Sequence, residues 1–153
     1  HFAQHGAELY ICGRRENVLK ETSEEITNLY NCKVQYQTLD IRASKDVDDY
    51  VQTIFDEGPL DGLVNNAAGN FISPTERLSH KGFDVVVDIV LKGTYNFSLA
   101  VGKEWIKNKQ KGKMLNNCDY VCLDWFRLCS PFSCSQRWFF SINKIISCRM
   151  GQI

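Results

Sequence analysis

Leu63-Val64-Asn65-Asn66-Ala67-Ala68-Gly69-Asn70-Phe71-Ile72-Ser73-Pro74 is the stretch whose reading decides the fold. A short apolar run stops at two amides, two alanines and a glycine. In an open parallel α/β sheet, ligands bind in the crevice at the carboxyl ends of the strands. A strand end built from small residues and amides lets a flat ligand approach the backbone. The blander alternative is a strand followed by a tight turn.

Working outward from this run, Gly58-Pro59 breaks what precedes it, so Leu60 to Val64 reads as a strand. Upstream, Ser44 can cap a helix running to Phe55, with Val47, Tyr50, Val51 and Ile54 at helical intervals. Lys33 to Leu39 is a strand that ends at Asp40-Ile41-Arg42. Glu16 to Tyr30 has helical spacing, with Val18, Leu19, Ile26 and Leu29 on one side. Ala7 to Cys12 is a short buried strand, preceded by the end of a helix that Gly6 closes. Downstream, Phe83 to Lys103 is a long, largely apolar helical stretch, expected to be buried against the sheet. Strands of four to seven residues alternate with helices, the pattern of a doubly wound parallel α/β sheet.

Composition narrows the function classes. A chain of 153 residues can bury one substantial core. The 18 basic and 18 acidic residues balance, which argues against nucleic acid and against an anionic membrane surface. No wholly apolar run approaches the roughly 20 residues of a membrane-spanning helix. The chain opens at His1 without an apolar leader, so no signal peptide is read. Two of the seven cysteines, Cys12 and Cys32, fall in the first 117 residues and five fall beyond. That uneven placement suits neither a disulfide framework nor paired zinc ligands, and no metal site is expected.

Arg14 and Arg15 directly follow the first strand. In dinucleotide folds an acidic residue there meets the ribose 2′-hydroxyl of NAD, whereas arginine suits the 2′-phosphate of NADP. No Asp or Glu ends this strand, so NADP(H) is the expected cofactor. The alternative is an exposed basic turn. Asp40 and Arg42 fall on one side if the chain there is still extended, although Asp40 could be only a turn residue.

The run Asn65-Asn66-Ala67-Ala68-Gly69-Asn70-Phe71 resembles the fourth-strand motif of the short-chain dehydrogenase/reductase family, in the form carried by its 2,4-dienoyl-CoA reductases. The resemblance covers residues 1 to about 114. It implies cofactor contacts at Arg14, Asp40, Asn66, Ala67 and Gly69, with Asp40 accepting from the adenine amino group. It also implies an acyl-CoA path at Arg14, Arg42, Asn70, Phe71 and Ser79. There Asn70 would donate to the thioester oxygen, where an aimed amide stabilises developing negative charge. Phe71 is either part of that path or core. One departure from the wider family favours the subfamily. Asp88-Ile89-Val90-Leu91-Lys92-Gly93 carries Val90 where most members place a catalytic asparagine, and the dienoyl-CoA reductases share Asp-Ile-Val-Leu. The resemblance further implies a homotetrameric parent, cytoplasmic in a bacterium and mitochondrial or peroxisomal in a eukaryote. A 3-oxoacyl or sugar dehydrogenase is the rival enzyme, and an inactive pseudogene product the rival without activity.

Two family features are not found. The glycine-rich pyrophosphate loop and the first strand are expected before His1, so the sheet is expected to lack its first strand. No Tyr-x₃-Lys or Ser-x₃-Lys occurs in the last forty residues, so no catalytic residue is retained. Read one base later, the codons allowed by Asn117–Leu128 permit I-V-T-T-Y-A-W-T-G-S-G-Y, and those of Cys129–Gln136 permit V-V-P-S-A-A-A-K. This shifted text resembles the family's catalytic segment. Residues 1–115 are therefore read as a partial dinucleotide-binding domain, and 116–153 as an out-of-frame tail without stable native structure.

Overall fold

The computed structural model describes residues 1–69 and 77–117. A single 3-10 turn at Ala3–His5 ends on Gly6, whose φ of 83° is left-handed, as a glycine closing a helix end requires. Strand β1 (Leu9–Gly13) leads to helix α1 (Glu16–Tyr30), then to β2 (Val34–Thr38) and α2 (Ser44–Glu57). Strand β3 (Gly62–Asn65) precedes a helical stretch made of α3 (His80–Val87), a π segment at Asp88–Gly93, and α4 (Thr94–Lys107). Strand β4 (Lys113–Asn116) follows.

Both strand pairings among the described residues are parallel. β1 pairs with β2 from Leu9 opposite Val34 to Gly13 opposite Thr38. β3 pairs with β4 from Gly62 opposite Lys113 to Asn65 opposite Asn116. Among the described residues the two ladders are separate two-stranded sheets. That is the split expected of a Rossmann-type sheet without its central first strand, where β1 and β3 would flank that strand.

Strand alternation shows the double winding. Neighbouring residues of a strand point to opposite faces. Cys12 packs on a cluster built from α2 and α4, whereas Gly13 lies against Leu19 of α1. That cluster is Val47 and Val51 of α2 with Phe97, Ala100, Val101 and Trp105 of α4, joined by Leu39. Ile41, Leu63 and Met114 press on it, so residues of both ladders share one core. The indole of Trp105 is buried and donates to the Leu60 carbonyl at 2.6 Å, beside the Gln110 amide at 2.8 Å. The end of α4 is thereby tied to the start of β3.

Four details differ from the sequence reading. Within α1 only Leu19 and Ser23 are buried, while Val18 and Leu29 are exposed. Strands lie about 4.8 Å apart, so two of them span too little width to cover both flanks of a helix. β1 is half-buried throughout rather than buried, for the same reason. Ser44 does not cap α2. The N-cap is Ala43, without a side-chain bond, and a turn from the Asp40 carbonyl to the Ala43 N–H at 2.9 Å sets the chain's approach. Finally, the helical stretch His80–Lys107 runs 28 residues with a mean hydropathy of 1.3 in its most apolar window, long and apolar enough to cross a membrane. Half of that window is buried inside the molecule, and its inner face is the core just described.

Candidate functional site

The carboxyl ends of β1, β2 and β3 carry Arg14, Asp40, Arg42, Asn66, Ala67 and Gly69 among the residues singled out in the sequence. Arg14 follows Gly13, is exposed, and makes no ion pair within the described residues. Arg15, also exposed, is the N-cap of α1.

Asp40 and Arg42 meet, but not through strand alternation. The chain has left the sheet at Thr38, and Asp40-Ile41-Arg42 forms a turn. The Arg42 N–H donates to Asp40 Oδ1 at 3.0 Å, the bond of an Asx turn. The Arg42 guanidinium adds Nε to both carboxylate oxygens, at 2.9 and 3.0 Å, and Nη2 to Oδ2 at 2.5 Å. These bonds hold the Asp40 carboxyl down to about 2, with Arg14 adding a smaller pull in the same direction. The pair presents a fixed carboxylate beside two cations at one sheet edge.

The loop after β3 is exposed at Asn66 and Ala67. A Cβ on Gly69 would lie 3.1 Å from Ile89 Cδ1, so the loop lies directly on the π segment. The same segment grips the neighbouring turn: a Cβ on Gly93 would lie 2.3 Å from Ile41 Cδ1. π segments are frequent at functional sites, and here one packs under two of the strand-end loops at once. Val90 is buried within it, packs with Val86, and accepts from Thr94 Oγ1 at 2.7 Å.

Some of the site could not be read in advance. Asn65 Nδ2 donates to Asn116 Oδ1 at 2.8 Å and to Ser98 Oγ at 3.2 Å. One residue further on, Asn117 Nδ2 donates to Asn66 Oδ1 at 2.7 Å. The paired asparagines at the end of β3 thus meet the paired asparagines at the end of β4, linking the two strand ends by side chains as well as backbone. The repeated Asn-Asn was the available signal. Asn66 spends its carbonyl on this ladder as well as facing solvent.

Ser79, expected along the acyl-CoA path, caps α3 and accepts from the Gly82 N–H at 3.1 Å. Asn70 and Phe71, like the whole out-of-frame reading beyond Asn117, lie outside the described residues. Cys12 and Cys32 are free thiols, and burial pushes Cys12 up to about 11. A recess of about 380 Å³ beside α2, lined by Tyr10, Gln35, Tyr50 and Glu57 among others, reaches the end of β2 at Thr38 but includes none of Arg14, Asp40, Arg42, Asn66, Ala67 and Gly69.

The profile of the short chain dehydrogenase family matches residues 1–137. This chain belongs to the short-chain dehydrogenase family. Among relatives of that family, "Probable 2,4-dienoyl-CoA reductase" of Bacillus subtilis is 38% identical over 115 residues, which is 74% of this chain and 45% of the relative. "Probable 2,4-dienoyl-CoA reductase 3" of Caenorhabditis elegans is 41% identical over 111 residues, 71% of this chain and 36% of the relative. The crystal structure of a short chain dehydrogenase from Bacillus anthracis superposes with a TM-score of 0.90 at 32% identity, covering 99% of this chain and 63% of that one. The chain therefore spans less than half the length of these two curated relatives.

Proposed function

We propose that this chain is part of an NADPH-dependent 2,4-dienoyl-CoA reductase, an oxidoreductase that acts on a conjugated acyl thioester in fatty-acid β-oxidation. The observation that carries the proposal is the family's amide-and-glycine strand end, Asn65 to Gly69, whose Gly69 lies on the same π segment as Ile41 of the Asp40–Arg42 turn. The likeness to relatives named 2,4-dienoyl-CoA reductase supports it.

The residues present fit NADP(H). Arg14 is an exposed cation with no ion pair of its own among the described residues, suited to a 2′-phosphate. Asp40 stays ionised and can accept a hydrogen bond at the adenine edge. Asn66, Ala67 and Gly69 give a flat backbone shelf for the rest of the cofactor. When bound, the nicotinamide supplies the hydride. Arg42 and Arg14 orient the CoA phosphates, while the resemblance assigns Asn70, Phe71 and Ser79 to the acyl path. Asn70 would donate to the thioester oxygen as negative charge builds there. No tyrosine–lysine pair that could deliver the proton stands in the present reading frame, so this chain as given is inactive.

The 3-oxoacyl or sugar dehydrogenase reading is weakened by Val90, which has no polar group to offer at the position where that chemistry uses an asparagine. The parent is a homo-oligomer. Tyr95, Leu99 and Ile106 recur at helical spacing on the outer face of α4 and remain exposed in this chain. Its compartment follows its source, cytoplasmic in a bacterium and mitochondrial or peroxisomal in a eukaryote.

The test is enzymatic. A version completed at its N-terminus and restored to the shifted frame after residue 115 should oxidise NADPH with a 2,4-dienoyl-CoA, and the 153-residue chain should not. Removing a positioned acid–base group costs about 10²–10⁴-fold. Turnover by the chain itself, or a restored enzyme that prefers a 3-oxoacyl thioester, overturns the reading.

A further inference from the structure

Asn96 is the third residue of α4, where its side chain is buried. Asparagine is a poor helix former, and a buried amide is costly unless bonded. Its Nδ2 donates at 2.9 Å to the carbonyl of Ile41, 55 residues away and the central residue of the Asp40-Ile41-Arg42 turn. Three residues earlier on the same stretch, Gly93 leaves room for the Ile41 side chain, which would collide with any Cβ there. Ile41 is thus held twice, by its carbonyl and by its side chain, and the residues on either side of it form the charged pair at the sheet edge.

We propose that Asn96 is a positioning residue: through the Ile41 carbonyl it holds the turn that presents Asp40 and Arg42, and so sets the affinity for the adenosine portion of the cofactor. The affinity clause rests on the reading of Asp40 given above, while the clamp itself does not.

The groups acting on Asp40 are Arg42 and Arg14, and Asp88 of the π segment also acts on Arg42. If the clamp fixes this arrangement, its loss frees Arg42 from Asp40. In the full chain, Asn96→Leu keeps the side chain's size but removes the donor. Carboxyl-carbon NMR titration should then move Asp40 from about 2 towards its ordinary 3.8. Amide exchange across β3 and β4 should stay unchanged, which separates the clamp from general unfolding. An unmoved Asp40 overturns the proposal. Should Asn96→Leu fail to fold, the unsubstituted chain decides: the Asn96 side-chain amide must exchange slowly and show contacts to the Arg42 N–H, and exchange at the free-solvent rate overturns the clamp.

Adenosine 2′,5′-bisphosphate is the ligand probe. Asn96→Leu should weaken its binding roughly 2- to 10-fold, the range of one hydrogen bond. In an Asp40→Asn background the same substitution should have no further effect, because Asn96 acts through that turn. Additive losses overturn the positioning role. No binding by the unsubstituted chain overturns the cofactor reading and leaves the Asp40 titration to decide the clamp.

Discussion

Asp40 is held by three bonds from one arginine side chain and a fourth from that residue's backbone. A carboxyl whose folded value is depressed binds its proton less readily in the folded chain than in the unfolded one. Its contribution to stability is therefore present above the unfolded value and is lost as pH falls through the folded one. For Asp40 that window runs from 3.8 down to about 2. The urea midpoint of the chain should fall across that interval more steeply than that of Asp40→Asn, and equal slopes would remove the pair from the account of acid sensitivity. Arg14 invites a different measurement. In the completed enzyme, Arg14→Asp should shift preference from NADPH towards NADH, since a carboxylate repels a 2′-phosphate and accepts from a 2′-hydroxyl. An unchanged cofactor ratio would detach Arg14 from the adenosine site.

At the scale of elements, the tightest fit is between α4 and the strand that follows it. A Cβ on Gly112 would lie 2.2 Å from both Cε2 and Cζ2 of Trp105, a rigid ring with 1% exposure. Gly112→Ala should therefore cost about 1–3 kcal/mol, the usual price of overpacking, measured by denaturant unfolding. A neutral effect would mean that β4 can slide away from the indole. The inner edges of β1 and β3 carry unpaired backbone groups within the described residues, and Val64 is 46% exposed. Such edges favour association. Sedimentation should show self-association that grows with concentration and that Val64→Lys reduces; an indifferent response would place the sticky surface elsewhere, with the α4 stripe next in line.

These elements also show what could be read beforehand. The bounds of α1, Glu16 and Tyr30, were legible because a helical period and a left-handed Asn31 end are local properties. The burial of its flanks was not, because it depends on how much sheet lies beneath. Asp40 and Arg42 were expected on one side by alternation, and they do meet, yet through an Asx turn that no strand period encodes. The π segment left no trace in the spacing of apolar residues. It is visible only where Ile41 and Gly69, distant in sequence, press on Gly93 and Ile89.

For the molecule as a whole, the long-range ties among the described residues include the shared core under α2 and α4, the two donors on the Leu60 carbonyl, the Asn96 bond to Ile41, and the asparagine ladder joining the ends of β3 and β4. Because Leu39, Cys12, Leu63 and Met114 meet one cluster, heat or denaturant should unfold both ladders together. Far-ultraviolet circular dichroism and exchange at β1–β2 and β3–β4 should then share one midpoint, and two separate midpoints would show that each ladder is its own cooperative unit.

The separation between partners in the second ladder bears on the order of events during synthesis. β1 and β2 are complete once Thr38 has emerged, so that ladder can close early. β3 meets no partner until Lys113 to Asn116 appear, and closing so long a loop is entropically costly and slow. At about 5–20 residues per second on the ribosome, β3 waits for seconds while the apolar helix His80–Lys107 is being made. Over that interval the nascent chain exposes its most hydrophobic segment beside an unpaired strand, which is when a chaperone has most to gain by binding it.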